Sequence, residues 1–323
     1  MKLKKFLFLF AAAAISGGGC TMFKQIEYQT ADGIALEQLD FNCNYDENTR
    51  KIYLAGAGGT FVMDLNRRIS FFNGTKIWLF SPPKFDRDNI LRIGVSDVQK
   101  IINPLLLKKY SLMRPVKRIV IDAGHGGHDN GAVGLKYKEK DLNLSLSLKI
   151  KSALEDKGFE VIMTRTEDKF LTLDERSEFA KQQQADLFLC VHHNASGSTK
   201  TAHGTETFSL SAAGMNSTQD RKGIIPTGTL PGNAFDDANI NLNYQIQSHI
   251  INNISTNDRG MKFARFRVLV NAPCPAVLLE AGFVSNPDEE IASATEDRQT
   301  KIAQAVTDAI LQFANQKGQK NEQ

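Results

Sequence analysis

Residues Ile119–Gly134 read IVIDAGHGGHDNGAVG. An apolar run ends in Asp122, and a glycine-rich turn then holds His125. A buried strand that stops at a glycine turn is a common place for an α/β protein to put its chemistry. Gly124, Gly126 and Gly127 leave little bulk around His125, so a metal or a substrate can approach it closely. Two later stretches share this layout. Leu187–Ala195 (LFLCVHHNA) carries an apolar strand into His192, and Ala276–Phe283 (AVLLEAGF) carries one into Glu280. Three strands, each delivering a polar side chain at its C-terminal end, predict the rim of one site.

The segments between these strands set the fold class. Glu139–Asp156 places Leu142, Leu146, Ile150, Ala153 and Leu154 on one helical face, and Gly158 stops it. Strands are expected at Arg118–Asp122, Glu160–Thr164, Asp186–His192, Gly204–Phe208, Arg267–Val270 and Ala276–Glu280. Helices are expected at Asp174–Gln183, Asn243–Ser255, a turn opening at Pro287, and Thr300–Phe313. The alternation predicts an α/β fold over 116–315, with a mainly parallel twisted sheet flanked by helices. Between Ser209 and Asn241 the chain is polar, rich in glycine and proline, and without periodicity. It follows a strand of the site, so a lid or entrance loop and a solvated insertion are equally good readings.

Upstream, residues 21–115 have their own character. Short runs at Lys51–Leu54, Thr60–Leu65 and Lys76–Phe80 are separated by turn signals, including Asn73-Gly74 and Pro82-Pro83. They predict a small β-rich domain closed by a helix over Val95–Leu106, with Ser96 as its cap and Pro104 at its end or at a kink. The order of these pieces weakly resembles the small N-terminal domain of copper amine oxidases. No catalytic constellation is visible there, and a spacer or wall-docking module is the simplest reading.

The 323 residues, 41% hydrophobic and 23% charged, suit one or two domains with a sizeable core. A formal net charge of +3 gives no support to nucleic-acid binding. At the N-terminus, Lys2, Lys4 and Lys5 precede the apolar run Phe6–Ile15, which is too short to span a bilayer. Small residues then lead to Cys20. This is a signal-peptide layout over 1–20, and its end resembles a bacterial lipoprotein processing site with Cys20 as the lipidated residue. Such a lipid anchor would hold the protein to a membrane, the outer membrane first, on the periplasmic side. Cys43, Cys190 and Cys274 form an odd set and imply no disulfide framework; Cys190 reads as a small buried hydrophobe. Residues 316–323 are a polar tail.

Zinc favours nitrogen, sulfur and carboxylate ligands, and a catalytic site keeps three protein ligands with one open position. His125, Glu139 and His192 are the candidate set, brought by three segments that can converge. Glu280 ends an apolar strand, where an ionised carboxylate is costly unless it faces a site or a partner. It is the candidate general base.

The blocks from Ile121 onward resemble the zinc-dependent N-acetylmuramoyl-L-alanine amidases of the cell envelope. Residues 121–134 match the family's first motif, and Glu139 follows it at the start of a helix. Thr164-Arg165, Asp168, Leu173, Arg176, Ala185-Asp186, the stretch Cys190–Ala195, Gly204–Phe208, Arg259-Gly260 and Leu279–Pro287 then follow in family order. The departures are His193 in place of alanine, Cys190 in place of serine and Asn130 in place of proline. The resemblance implies Zn2+ on His125, Glu139 and His192, catalysis by Glu280, and cleavage of the amide between N-acetylmuramic acid and L-alanine in peptidoglycan. His128, Asn194 and Arg259 are candidate substrate-binding residues, with surface solvation the plainer reading for His128 and Arg259. Some family members carry a helix after the strand matching Gly204–Phe208 that plugs the site until an activator protein removes it. Here that role would fall to 209–241, with Asp236 and Asp237 reaching inward. The rival readings are a non-catalytic peptidoglycan-binding lipoprotein and a zinc peptidase acting within the stem peptide.

Overall fold

The computed structural model describes residues 28–30, 41–107, 112, 114–197, 199–220 and 228–315. The expected signal peptide over 1–20, with Cys20 as its expected lipidated residue, and the polar tail lie outside the described residues.

The strands of the C-terminal part are β9 (Arg118–Ala123), β10 (Glu160–Met163), β11 (Leu187–Asn194), β12 (Thr205–Leu210), β13 (Asp258–Ala264) and β14 (Ala276–Phe283). Its helices are α3 (Glu139–Glu155), α4 (Leu173–Gln182), α5 (Asp236–Asn253), α6 (Arg267–Val270), α7 (Pro287–Ser293) and α8 (Glu296–Asn315). Strands β10, β9, β11 and β14 run parallel, as the alternating pattern predicts. Strand β12 pairs antiparallel with β14, and β13 pairs parallel with β12. The sheet is therefore mixed.

Side-chain alternation divides the core between the two faces. Ile119, Ile121, Leu187, Leu189, Val277 and Leu279 pack with Leu146, Ile150, Leu242, Ile246, Val306 and Ile310, which come from α3, α5 and α8. Val120, Phe188, Cys190, Phe208 and Leu278 pack on the other face with Ala180, Val268 and Leu269, from α4 and α6. Burial pushes the Cys190 thiol well up, in keeping with its expected role as a small hydrophobe. Thr172 and Glu175 form a reciprocal capping box that starts α4.

The N-terminal strands extend the same sheet. They are β1 (Tyr28–Thr30), β2 (Asn42–Asp46), β3 (Lys51–Gly56), β4 (Gly59–Asp64), β5 (Ile69–Phe72), β6 (Thr75–Trp78), β7 (Lys84–Phe85) and β8 (Leu91–Ile93). β2 to β6 form an antiparallel meander, and β6 pairs with β13 through Met261 and Ile77. The result, among the described residues, is an 11-stranded sheet in the order β10-β9-β11-β14-β12-β13-β6-β5-β4-β3-β2. β1, β8 and β7 form a separate small sheet. Two short helices, α1 (Val95–Asp97) and α2 (Asn103–Leu106), flank a π-helical turn at Val98–Ile102. Pro104 lacks the N–H that the helix interior needs, which accounts for a widened turn just before it. The N-cap is Gly94, without a side-chain cap bond, and not the expected Ser96. The core of this region includes Phe61, Leu79, Ile101 and Leu106, and also Ile240, Met261 and Phe263 from the C-terminal part.

Three expectations are corrected. Arg267–Val270 is a helix and not a strand. Its short apolar run fits either state, and the strand role belongs to Asp258–Ala264, whose Arg259 and Lys262 break the apolar pattern. The segment 209–241 is not without structure: it holds the last residues of β12, a 3-10 turn at Pro231–Phe235 and the start of α5. Nor do its described residues form a lid over the rim. Because β12 runs against β14, it leads the chain to the opposite end of the sheet. The described flanks stay there: Asn233 donates to Ser211 O, and Asn239 accepts the N–H of Ala276 at the start of β14.

Candidate active site

The C-terminal ends of β9, β11 and β14 converge with the N-terminus of α3. Asp122, fully buried, anchors this end by accepting from Thr164 Oγ1 at 2.7 Å and Arg176 Nη1 at 2.8 Å. Arg165 donates to Ala123 O, Gly124 O and Lys140 O, holding the turn against α3. The turn is tight. His125 takes φ 62, a left-handed conformation that costs a residue with a Cβ and concentrates at functional sites. A Cβ on Gly124 would lie 2.2 Å from His192 Cε1, so only glycine admits the His192 ring there.

His125, Glu139 and His192 come together, with one ligand atom from each within 4.8 Å of the others. His125 Nε2 is 3.1 Å and His192 Nδ1 3.0 Å from Glu139 Oε1. The two rings meet edge to face at 5.0 Å between centroids. Burial alone would raise the Glu139 carboxyl, but its hydrogen bonds to both imidazoles hold it well below the ordinary range. Its Oε2 accepts the N–H of Ala132 at 2.9 Å. Behind His125, Asp129 Oδ2 lies 2.8 Å from Nδ1, which turns Nε2 toward the cluster. Asn143, one helical turn after Glu139, donates to Gly124 O and to Glu139 Oε1, and its Oδ1 lies 2.8 Å from His193 Nδ1. His193 thus faces α3 while His192 faces the cluster. The neighbouring histidines are separated by strand alternation.

Glu280 is the register partner of His192 on β14. Its Oε2 is buried and has no hydrogen-bond partner. Burial, then the charges of Glu139 and Glu206, push its carboxyl well above the ordinary value, with Lys262 opposing them. Glu206 is its register partner on the other side. Glu206 is buried and takes hydrogen bonds from Asn194 Nδ2 at 2.8 Å, Arg259 Nε at 2.7 Å and Lys262 Nζ at 2.5 Å. Arg259 also lies over the Phe283 ring at 4.6 Å.

Of the three candidate substrate-binding residues, Asn194 and Arg259 meet on Glu206 beside Glu280. His128 does not join them; it stacks on Phe170 at 4.0 Å, on the β10 side of the rim. Asp236 and Asp237, expected to reach inward, line a cavity with Pro275, ahead of β14 at the other end of the sheet. Asp236 pairs there with Lys100 at 3.5 Å. Asp236 and Asp237 therefore do not reach this site.

Sequence reasoning passed over Asn143, Glu206 and Lys262. The i, i+4 spacing of Glu139 and Asn143 was a usable signal, as was a lysine between Met261 and Phe263 in an apolar run.

One carboxylate and two imidazoles, with Asp129 orienting one ring, form the nitrogen and oxygen donor set that zinc prefers in catalytic sites. A carboxyl one strand away, pushed up by burial and by the charges of Glu139 and Glu206, suits general acid–base chemistry.

The sequence model of the N-acetylmuramoyl-L-alanine amidase family matches residues 119–312. The uncharacterized protein YqiI of Bacillus subtilis is 35% identical over 201 residues, covering 62% of this chain and 86% of that protein. The N-acetylmuramoyl-L-alanine amidase AmiA of Escherichia coli is 30% identical over 218 residues, covering 60% of this chain and 75% of AmiA. The crystal structure of an N-acetylmuramoyl-L-alanine amidase from Clostridium difficile superposes with a TM-score of 0.53 at 29% identity. That match covers 64% of this chain and the whole of the other.

Proposed function

The chain belongs to the N-acetylmuramoyl-L-alanine amidase family, and from that premise we propose how its own residues carry out the reaction. The protein is a hydrolase of peptidoglycan that cleaves the amide between N-acetylmuramic acid and L-alanine, an activity suited to cell-wall remodelling. The observation that carries the mechanism is the pairing of His192 with Glu280 across adjacent strands, beside the His125–Glu139–His192 cluster.

In this reading His125, Glu139 and His192 hold a zinc ion. Zinc bound there would polarise the scissile carbonyl and make water acidic enough to serve as the nucleophile near neutral pH. Asp129 and Asn143 fix the donors so that their lone pairs aim at one point. Glu280 accepts the proton of the attacking water and returns it to the departing nitrogen of L-alanine. Burial and the negative charges of Glu139 and Glu206 make its carboxylate a readier proton acceptor than an ordinary one. Arg259, held by Glu206 and stacked on Phe283, lies on the far side of Glu280 from the metal donors and assists in binding substrate.

Residues 116–315 form the catalytic part in this assignment, and the strands between 41 and 107 are a non-catalytic extension. No described helix is long and apolar enough to cross a membrane. The polymer it cuts lies outside the cytoplasmic membrane, so the protein acts in the cell envelope. We assign Cys20 as the lipid-bearing residue that holds it there, on the strength of the leader-like residues before it. Cys20→Ser should move the protein from the membrane fraction to the soluble fraction; retention at the membrane would overturn that assignment.

Product analysis tests the reaction. Release of stem peptides with a free N-terminal L-alanine is the amidase result. Peptides cut internally would show a peptidase instead.

A further inference from the structure

Building on the amidase reading, we propose that substrate lies across the rim in one direction, with its peptide stem in the cleft walled by Val133, Leu135, Lys200 and Val284. The cleft has a volume of about 330 Å3. Each wall continues from an element of the catalytic site. Val133 and Leu135 lie in the chain between His125 and Glu139, Lys200 follows the strand of His192, and Val284 directly follows the strand of Glu280. A substrate whose scissile bond sits at Glu280 therefore reaches this cleft with its next few atoms.

The wall is built and not incidental. Glu290 of α7 is buried, and its carboxylate accepts the N–H groups of Leu135, Lys136 and Tyr137 at 3.0, 2.6 and 2.6 Å. A Cβ on Gly134 would lie 2.3 Å from Glu290 Oε1, so the loop closes on the carboxylate only with glycine there. The clamped backbone presents Val133 and Leu135 to solvent at 64% and 72% exposure. Apolar side chains held in water by a fixed loop mark a binding surface.

The chemistry of the cleft selects the peptide. Its lining has no aromatic ring; it offers short aliphatic side chains, the hydroxyls of Ser196 and Ser285, and the Lys200 ammonium. That set fits a peptide of small apolar side chains carrying a carboxylate. Sugar rings stack on flat aromatic faces, and such a face is found on the other side of His125, where His128 lies on Phe170. Phe170 belongs to the connection after β10, and the cleft lies beyond β11 and β14. Glycan toward Phe170 and stem toward Leu135 gives the bound substrate one polarity.

The test uses zinc-loaded full-length protein and synthetic N-acetylmuramoyl peptides. One bears L-alanine alone, one bears a longer stem with an acidic second residue, and one bears that stem with the acid converted to its amide. For Leu135→Ser the loss in kcat/KM should be about fivefold greater on the longer stem than on the short one. Lys200→Gln should reduce the preference for acid over amide by roughly threefold. Equal losses on all three substrates would overturn the proposal. Wild-type turnover abolished by Glu280→Gln keeps this outcome separate from failure of the amidase reading, in which wild type would release no stem peptide at all.

Discussion

His192 and Glu280 occupy the same register position on adjacent parallel strands, so an imidazole of the His125–Glu139–His192 cluster and a half-buried carboxyl leave the sheet on the same face. Glu206 takes the matching position on the next strand and holds Arg259 and Lys262. The three side chains form one row across the sheet end, and the Glu206 charge bears on Glu280.

That coupling sets the pH profile. Glu280 works as a base only when ionised, so kcat/KM falls as pH drops through its raised pKa. Glu206→Gln removes a negative charge beside it and frees the Lys262 charge, and both changes favour ionised Glu280. The acid limb of the rate profile should move to lower pH. A limb that stays in place or moves upward would remove Glu206 from this role.

His193 predicts a stability change with pH. Burial lowers its pKa from 6.5 to about 4. The unfolded chain therefore binds more protons than the folded one between these values, and stability falls as pH drops through that window. The contribution is fully present above pH 6.5 and is worth on the order of 3 kcal/mol. Urea unfolding of His193→Ala at pH 7 and pH 4.5 should show a flatter dependence than wild type.

Asn143 supports Glu139 from one helical turn away. Asn143→Ala should weaken zinc binding by roughly 10- to 100-fold, the usual scale for a lost supporting hydrogen bond. Competition with a chelator of known affinity measures it. Unchanged affinity would mean that the Ala132 and His193 N–H groups suffice to hold the carboxylate.

Much of this site is legible in the sequence because its residues break strong local patterns. His125 interrupts a glycine run, His192 and Glu280 end apolar strands, and Glu139 opens a periodic helix. What was not legible is set by distant pairing. Nothing within Gly204–Phe208 says that β12 runs against β14, yet that direction carries the described residues that follow β12 away from the rim. The Glu206–Lys262 pair joins residues from strands whose charges disguise them as surface. The helix at Arg267–Val270 reads as a strand because three apolar residues in a row, Val268 to Val270, carry no period. The continuity of the N-terminal meander with the main sheet rests on the pairing of β6 with β13 across a long stretch of chain: Met261 lies opposite Ile77, the Lys76 N–H donates to Asp258, and Trp78 Nε1 donates to Arg259 O.

That continuity predicts that the N-terminal strands are needed for stability. Removing residues 41–107 would uncover Ile240, Met261 and Phe263, each worth roughly 1.5–3 kcal/mol of burial. The shortened protein should melt at a distinctly lower temperature than the full chain by calorimetry. An unchanged melting temperature would show that the meander docks without contributing to the core.

The central claim is that this rim hydrolyses the muramoyl–L-alanine amide with Glu280 as the base and zinc on His125, Glu139 and His192. The most direct measurement is mass spectrometry of the products released from purified peptidoglycan by zinc-loaded wild type and by Glu280→Gln, with metal content determined on both. Both proteins should carry about one zinc, and wild type should release stem peptides beginning with L-alanine. Glu280→Gln should retain the metal and lose at least about 100-fold in rate. Equal release by the two proteins, or products cut within the stem, would contradict the account.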